Sequence, residues 1–400
     1  MFADKPGEFA YPRELLFRLI LMSIFDGGLS FHEIERKTRT DIAYMYLAGM
    51  QHPSYRTIAR FKVDYPDLID ESFKTTIKIA KEEDLVKIHP VSLDGTKIKA
   101  KTSMNKLTNE QQLKIMKQHL KESIELDEEE DMELGEESGK DVISINDSDA
   151  CFMKNKKGKW EFDYNGQIAV DDYKGIILAS YITNNPTDYY ELIPLMEQVQ
   201  FNLSEIYDET PVNYQVSADN GYSTDMNTEY LEQNGFDGYI SSRKLSREQK
   251  KYNLSDKPFA KDNFFYDNEM MTYICPLGQP LYKISEYTYK NKSRISHWTK
   301  ECKTCPMQLF CSKGNRCRVI QDYGIPSKIR MQRKMETPEA KERYKIRSKT
   351  AERPFAHLKQ NMHLTEFRTT GLQEVNTELK LYTIGHNLKR IYNEISRKNN

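Results

Sequence analysis

Between residues 88 and 254 the apolar pattern switches repeatedly between a period of two and a period near 3.6, and this alternation constrains the fold most. Val91-Ser92-Leu93-Asp94-Gly95-Thr96-Lys97-Ile98-Lys99-Ala100 alternates in part like a half-buried strand. Strand character returns at 160–170 and at 175–182. A helical pattern runs from Tyr189 to about Leu203, followed by a strand over 213–219, a helix over 224–233 and a strand over 238–240. Three strands followed by alternating helix and strand predict an α+β domain with a mixed sheet.

That βββαβαβ order is what a ribonuclease-H-like sheet requires. Four hundred residues exceed one ordinary core, so further domains flank it. Residues 1–87 are expected to form a helical, helix-turn-helix-like DNA-binding domain, and 88–254 the first part of the catalytic core. An acidic insertion covers 103–150, a Cys-rich insertion 255–330, and C-terminal helices of the core 331–400, broken near Pro354. In the N-terminal domain, Ser30 with Glu33 three residues on makes a capping box. Ser54 caps a helix carrying Arg56 and Arg60 four residues apart on one face, with Lys62 near its end. These three cations are candidate DNA contacts.

The net charge of −1 hides a strong asymmetry. Residues 121–141 hold eleven acids against two lysines, which leaves the rest of the chain near +8. A basic body with a separate acidic patch suits a phosphate-backbone partner, and equally a solvated helical surface. The longest early apolar stretch, 15–25, is broken by Arg18 and Ser23, too short and too interrupted for a membrane span or a secretory signal. A cytoplasmic chain without membrane partners is expected, so its six cysteines read as thiols or metal ligands rather than disulfides.

Three carboxylates are candidates for catalysis. Asp94 lies on a predicted strand and Asp219 at the end of another, each followed by turn-forming residues (Gly95; Asn220-Gly221). Glu352 ends a cation-rich helical run from Glu339. Carboxylate and phosphate oxygens suit Mg²⁺ or Mn²⁺, and two such ions can activate an attacking oxygen and stabilise a leaving one. Singly, Asp-Gly and Asp-Asn-Gly are ordinary turns, and His357 and His363 read as packing or surface residues; the order of the three acids is what points to chemistry.

Tyr344, Arg347, Glu352 and Lys359 stand in the order of a Tyr-Arg-Glu-Lys signature, with Lys359 seven residues after the Glu. On these residues, together with 41–49, 91–95, 217–222 and 351–359, the chain resembles the bacterial insertion-sequence transposases of the DDE class. Four residues separate Arg347 from Glu352, one more than the family pattern. The resemblance implies a ribonuclease-H-like catalytic domain, two Mg²⁺ or Mn²⁺ ions on Asp94, Asp219 and Glu352, nicking at transposon ends and strand transfer into target DNA. It also implies DNA contacts from Tyr344, Arg347 and Lys359, and a homo-oligomer on paired ends. The alternatives are a transposase-derived DNA-binding protein with idle acids, and a metal-dependent nuclease that cuts without joining.

Cys302-Lys303-Thr304-Cys305 forms a CxxC pair, with Cys311 after it and Cys275 before it. These four thiols are candidate Zn²⁺ ligands, Cys317 is a fifth, and a set of reduced thiols in a small β-rich insertion fits the same spacing.

Overall fold

The computed structural model describes residues 10–88, 90–102, 144, 147–155, 158–209, 211–241, 258–267, 269–289, 292–312 and 316–398. Residues 103–143 of the predicted acidic insertion lie outside them. The chain divides into two compact units, one of Met1–Pro211 with Lys349–Asn400 and one of Val212–Ser348.

The first unit opens with five helices: α1 (Arg13–Phe25), α2 (Phe31–Thr40), α3 (Ile42–Leu47), α4 (Tyr55–Asp64) and α5 (Pro66–Glu82). Each boundary follows from local chemistry. Gly27 and Gly28 take φ of +87° and +71°, and a Cβ on Gly28 would stand 2.5 Å from the Tyr382 hydroxyl, so only glycine can turn the chain there. The capping box is present: the Glu33 carboxylate accepts from the Ser30 amide at 2.9 Å, and Ser30 Oγ accepts from the Glu33 amide. Asp41 caps α3, Ser54 caps α4, and Pro66 opens α5 at its first turn.

Next come β1 (Val91–Lys99), β2 (Cys151–Lys154), β3 (Trp160–Asp171) and β4 (Ile177–Thr183), all joined antiparallel. The long strand β3 pairs along its length with β1, while β2 takes its first residues and β4 its later ones. The helix α6 (Leu192–Ser204) packs on this sheet through Leu192, Leu195, Met196 and Val199.

The second unit starts with β5 (Gln215–Ala218), α7 (Asp225–Gln233) and β6 (Asp237–Ile240), the two strands running parallel. A five-stranded antiparallel sheet follows, made of β7 (Phe265–Asp267), β8 (Thr272–Ile274), β9 (Pro280–Tyr289), β10 (Lys292–Trp298) and β11 (Ile320–Gly324). Its core is Phe264, Tyr266, Tyr273, Leu281 and Ile320. Helix α8 (Gln308–Cys311) lies between β10 and β11. Helix α9 (Pro326–Lys334) clamps onto α7 and β6, with Arg330 bonded to Glu232 at 3.0 Å and Lys334 to Asp237. Helix α10 (Pro338–Thr350) closes the segment.

The chain then returns to the first unit with α11 (Glu352–Ala356), a π-helical turn (His357–Asn361) and the 27-residue α12 (Leu372–Lys398). Pro354 sits within the first turn of α11, where its missing N–H costs nothing. Helix α12 crosses α5 and β4, and Asn387 stitches all three: its Nδ2 donates to Thr76 Oγ1 at 3.0 Å and to Ile177 O at 2.9 Å, while its Oδ1 accepts from the Ile177 amide at 2.8 Å. Both antiparallel and parallel strand pairs occur beside helices, so the architecture is mixed α/β. No helix among the described residues is long and apolar enough to cross a membrane.

Candidate functional site

In the first unit Asp94 occupies the fourth position of β1, opposite Ile168 of β3, and is 4% exposed. Gly95 is an interior strand residue rather than a turn, paired with Gln167. The reason for glycine is steric: a Cβ there would stand 2.6 Å from both Asp188 Oδ1 and Gln167 Nε2. Asp188 Oδ1 is held by Asn165 Nδ2 and Gln167 Nε2, each at 2.7 Å. Because strand side chains alternate, Gly95 and Lys97 share one face of β1, and Asp94 and Thr96 share the other.

Lys359 joins the Asp94 face. Its ammonium donates to Thr96 Oγ1 at 2.8 Å and to Lys97 O at 2.6 Å. It lies in the π-helical turn, a local widening of the helix often found at functional sites. Glu352 begins α11, seven residues earlier in the same run and roughly 10 Å up the axis. Glu352 is exposed, and its carboxylate makes no hydrogen bond or ion pair with any described residue, although Lys349 and Arg353 flank it. In the second unit Asp219 follows β5, where its Oδ1 accepts from the Gly221 amide at 2.8 Å and caps the single turn over 220–222. Its other carboxylate oxygen makes no hydrogen bond with a described residue.

The cations sort differently from the sequence expectation. Arg56 and Arg60 are exposed on α4, Arg56 resting on the Tyr55 hydroxyl at 3.0 Å and Arg60 lying 3.9 Å from Asp64. Lys62 is a correction: it turns inward and forms a 3.0 Å ion pair with Glu378 of α12, both side chains being buried. The spacing explains this, since Lys62 lies four residues after buried Ile58 and shares its face. Tyr344 and Arg347 of α10 are both 5% exposed, and the guanidinium stands 5.9 Å from the tyrosine ring centroid. Their surroundings are packed rather than open.

A polar cluster on the other face of β1 is absent from the sequence expectation. Lys97 Nζ is buried and has no hydrogen-bond partner among the described residues, and burial holds its pKa down against the pull of Asp188. Asp163, on β3 opposite Lys99, has its pKa pushed up to about 6, first by burial and then by Glu161, against the opposing pull of Lys359, Lys97 and Lys99. The i, i+2 spacing of Asp163, Asn165 and Gln167 was the available signal for a polar strand face. A carboxyl whose pKa rises on folding stabilises the fold at low pH and loses that contribution as pH climbs through the folded value. Urea unfolding is therefore expected to show stability falling between about pH 4 and 6 by up to about 3 kcal/mol from this group. Asp163→Asn should remove that fall, and an unchanged pH profile in the variant would refute the assignment.

Cys275, Cys302, Cys305 and Cys311 line one small cavity in the second unit, together with Phe259, Phe264, Leu277 and Leu281. Burial raises the pKa of Cys302 and Cys311. Among the described residues no group of three or more His, Cys, Asp or Glu side chains is arranged to hold a metal ion.

Residues 274–392 match the family model described as a transposase DDE domain. This stretch contains Glu352 and Lys359 but neither Asp94 nor Asp219. Residues 1–64, with most of the N-terminal helices, match a second model described as a transposase domain (DUF772). No curated protein matches the chain. Solved structures similar to the chain include two transposase complexes. One is a piggyBac transposase synaptic complex with hairpin DNA, at 8% identity and a TM-score of 0.39 over 99% of this chain and 70% of that one. The other is a Mos1 transposase paired-end complex with left transposon end, at 11% identity and a TM-score of 0.19 over 59% and 61%. Likeness at that level carries no argument about the fold. The two family matches come from opposite parts of the chain, both are to transposase domains, and together they indicate an insertion-sequence transposase of the DDE class.

Proposed function

We propose that the chain cuts DNA at transposon ends and joins the freed strand to target DNA, using Asp94, Asp219 and Glu352 in a ribonuclease-H-like core. The observation that carries this reading is the tie between Lys359 and β1. It sets the helical run that begins at Glu352 against the strand face bearing Asp94, within one compact unit.

The three acids differ in how they are prepared. Asp94 is immobilised in a paired strand, with backbone partners fixed on β3. Asp219 spends one oxygen on its own turn and keeps the second for a ligand. Glu352 presents a carboxylate without a hydrogen-bond or ion-pair partner among the described residues. All three are hard oxygen donors of the kind Mg²⁺ and Mn²⁺ select, which is the respect in which the residues fit such ions. Two divalent ions, when bound, would activate the attacking water or 3′ hydroxyl and neutralise charge on the leaving oxygen. Lys359, held by Thr96 and the Lys97 carbonyl, places a fixed positive charge on the Asp94 face, where it attracts the scissile phosphate. Arg56 and Arg60 offer exposed cations on a capped helix for binding the transposon end. Joining paired ends requires two copies, so the active form is an oligomer on DNA.

Strand transfer is the step that separates a transposase from a nuclease. A labelled, pre-cut transposon end incubated with the protein, Mg²⁺ and a target plasmid should give a covalent end–plasmid product. Cutting of uncut ends without any joined product would contradict the reading and leave a nuclease.

A further inference from the structure

On a different face of the run that carries Glu352 and Lys359, the first unit contains a cavity of about 370 Å³. Lys349, Arg353, His357 and Asn361 line it at intervals of four residues, which is one face of a helix. Lys174, Lys389 and Arg390 close it from the β3–β4 turn and from α12, and the single acid in the lining is Asp172.

Charge in this cavity is unbalanced. Lys174 Nζ is neutralised by Glu394 at 2.7 Å, and Arg390 Nε donates to the Lys174 carbonyl at 2.7 Å. Lys349, Arg353 and Lys389 make no ion pair with any described residue. The histidines add no charge. His386 Nε2 donates to Gly175 O at 2.9 Å, which leaves its Nδ1 to accept from His357 Nδ1–H, also at 2.9 Å. Burial pushes His386 down to about 3 and lowers His357 as well, so both rings are neutral near pH 7. Burial also lowers Arg390, and Arg353 and Arg397 add to that lowering against the opposing pull of Glu394. Three unpaired cations around a neutral histidine floor make a concave site for an anion with several acceptor oxygens.

We propose that this cavity holds a backbone phosphate of the DNA, bound by Lys349, Arg353 and Lys389. The inference rests on the transposase reading above. It adds an anchor within roughly one helix diameter of Glu352, about 10 Å, close enough for nearby phosphates of one strand to meet both. Helix α11 would then grip one phosphate on this face while the acid on its neighbouring face meets another, fixing the strand's register over the catalytic acids.

The test is the salt dependence of binding to a short duplex of unrelated sequence, measured by fluorescence anisotropy between about 50 and 200 mM salt. Lys349→Ala/Lys389→Ala removes two exposed or half-buried cations without touching the core. The expected result is a log–log slope smaller by about 1–2 and affinity several-fold weaker at the low-salt end. An unchanged slope with DNA still bound overturns the anchor and leaves the transposase reading standing. Absence of any DNA binding by the unaltered protein overturns both. A third arm titrates inorganic tripolyphosphate and follows thermal stability. If the double variant loses that stabilisation yet keeps the full DNA slope, the cavity serves a free polyphosphate and the DNA assignment fails.

Discussion

Asp94→Asn is expected to slow single-turnover, Mg²⁺-dependent DNA cleavage by about 10²–10³-fold or more while end binding is retained, the scale on which loss of one charge-stabilising group acts. The side chain is almost fully buried on a paired strand, so alanine would mix loss of chemistry with loss of packing. Asparagine keeps the shape and removes the negative charge. The folded protein should therefore melt within a few degrees of the parent, because removing a buried charge does not open a cavity. Cleavage at the parental rate by Asp94→Asn would remove this residue from the mechanism.

The second large effect lies far from the chemistry. Lys62→Ala leaves the Glu378 carboxylate buried with, among the described residues, the Arg368 amide and the Thr369 hydroxyl as its remaining partners. Breaking a buried pair from one side costs about 3–5 kcal/mol, whereas replacing both partners with apolar residues of similar volume is often neutral. Urea unfolding should show that loss for Lys62→Ala and largely recover it in Lys62→Met/Glu378→Leu. A loss below about 1 kcal/mol in the single variant would mean that water reaches the pair and screens it. The same network links the N-terminal helices to the C-terminal segment, since Arg368 also donates to the carbonyls of Gly28 and Leu29. The N-terminal and C-terminal helices are thus held in one compact unit by polar bonds as well as by packing.

Local periodicity made much of the secondary structure legible. The strands at 91–99, 160–171 and 177–183, and the helix–strand alternation from 192 to 240, follow the pattern of apolar spacing to within a few residues. Capping residues fixed several boundaries, as Ser30, Ser54 and Thr224 show. What the chain does not disclose locally are partners distant in sequence. Gly95 reads as a turn residue because Asp188, whose carboxylate requires the missing Cβ, lies 93 positions later. Lys62 reads as a surface cation because its partner Glu378 is 316 residues away. Its spacing from Ile58 was the only local sign of burial. Among the candidate site residues, the seven-residue interval from Glu352 to Lys359 was plain, but the π-helical turn that seats Lys359 on β1 was not. The Lys359 ammonium finds its seat on Thr96 and the Lys97 carbonyl, which lie more than 250 residues earlier in the chain.

The central claim is that Asp94, Asp219 and Glu352 act as one metal-dependent unit. Its most direct test is the nicking rate of a supercoiled plasmid carrying this chain's coding sequence and flanking DNA, with Mg²⁺ and with a chelator. The unaltered protein, the single variants Asp94→Asn, Asp219→Asn and Glu352→Gln, and the triple variant are compared side by side. Groups that act as a unit lose nearly everything with the first removal, so each single variant should be as inactive as the triple, and chelation should silence the unaltered protein. Nicking that survives chelation, or any one of the three single variants cutting at the parental rate, would contradict the account.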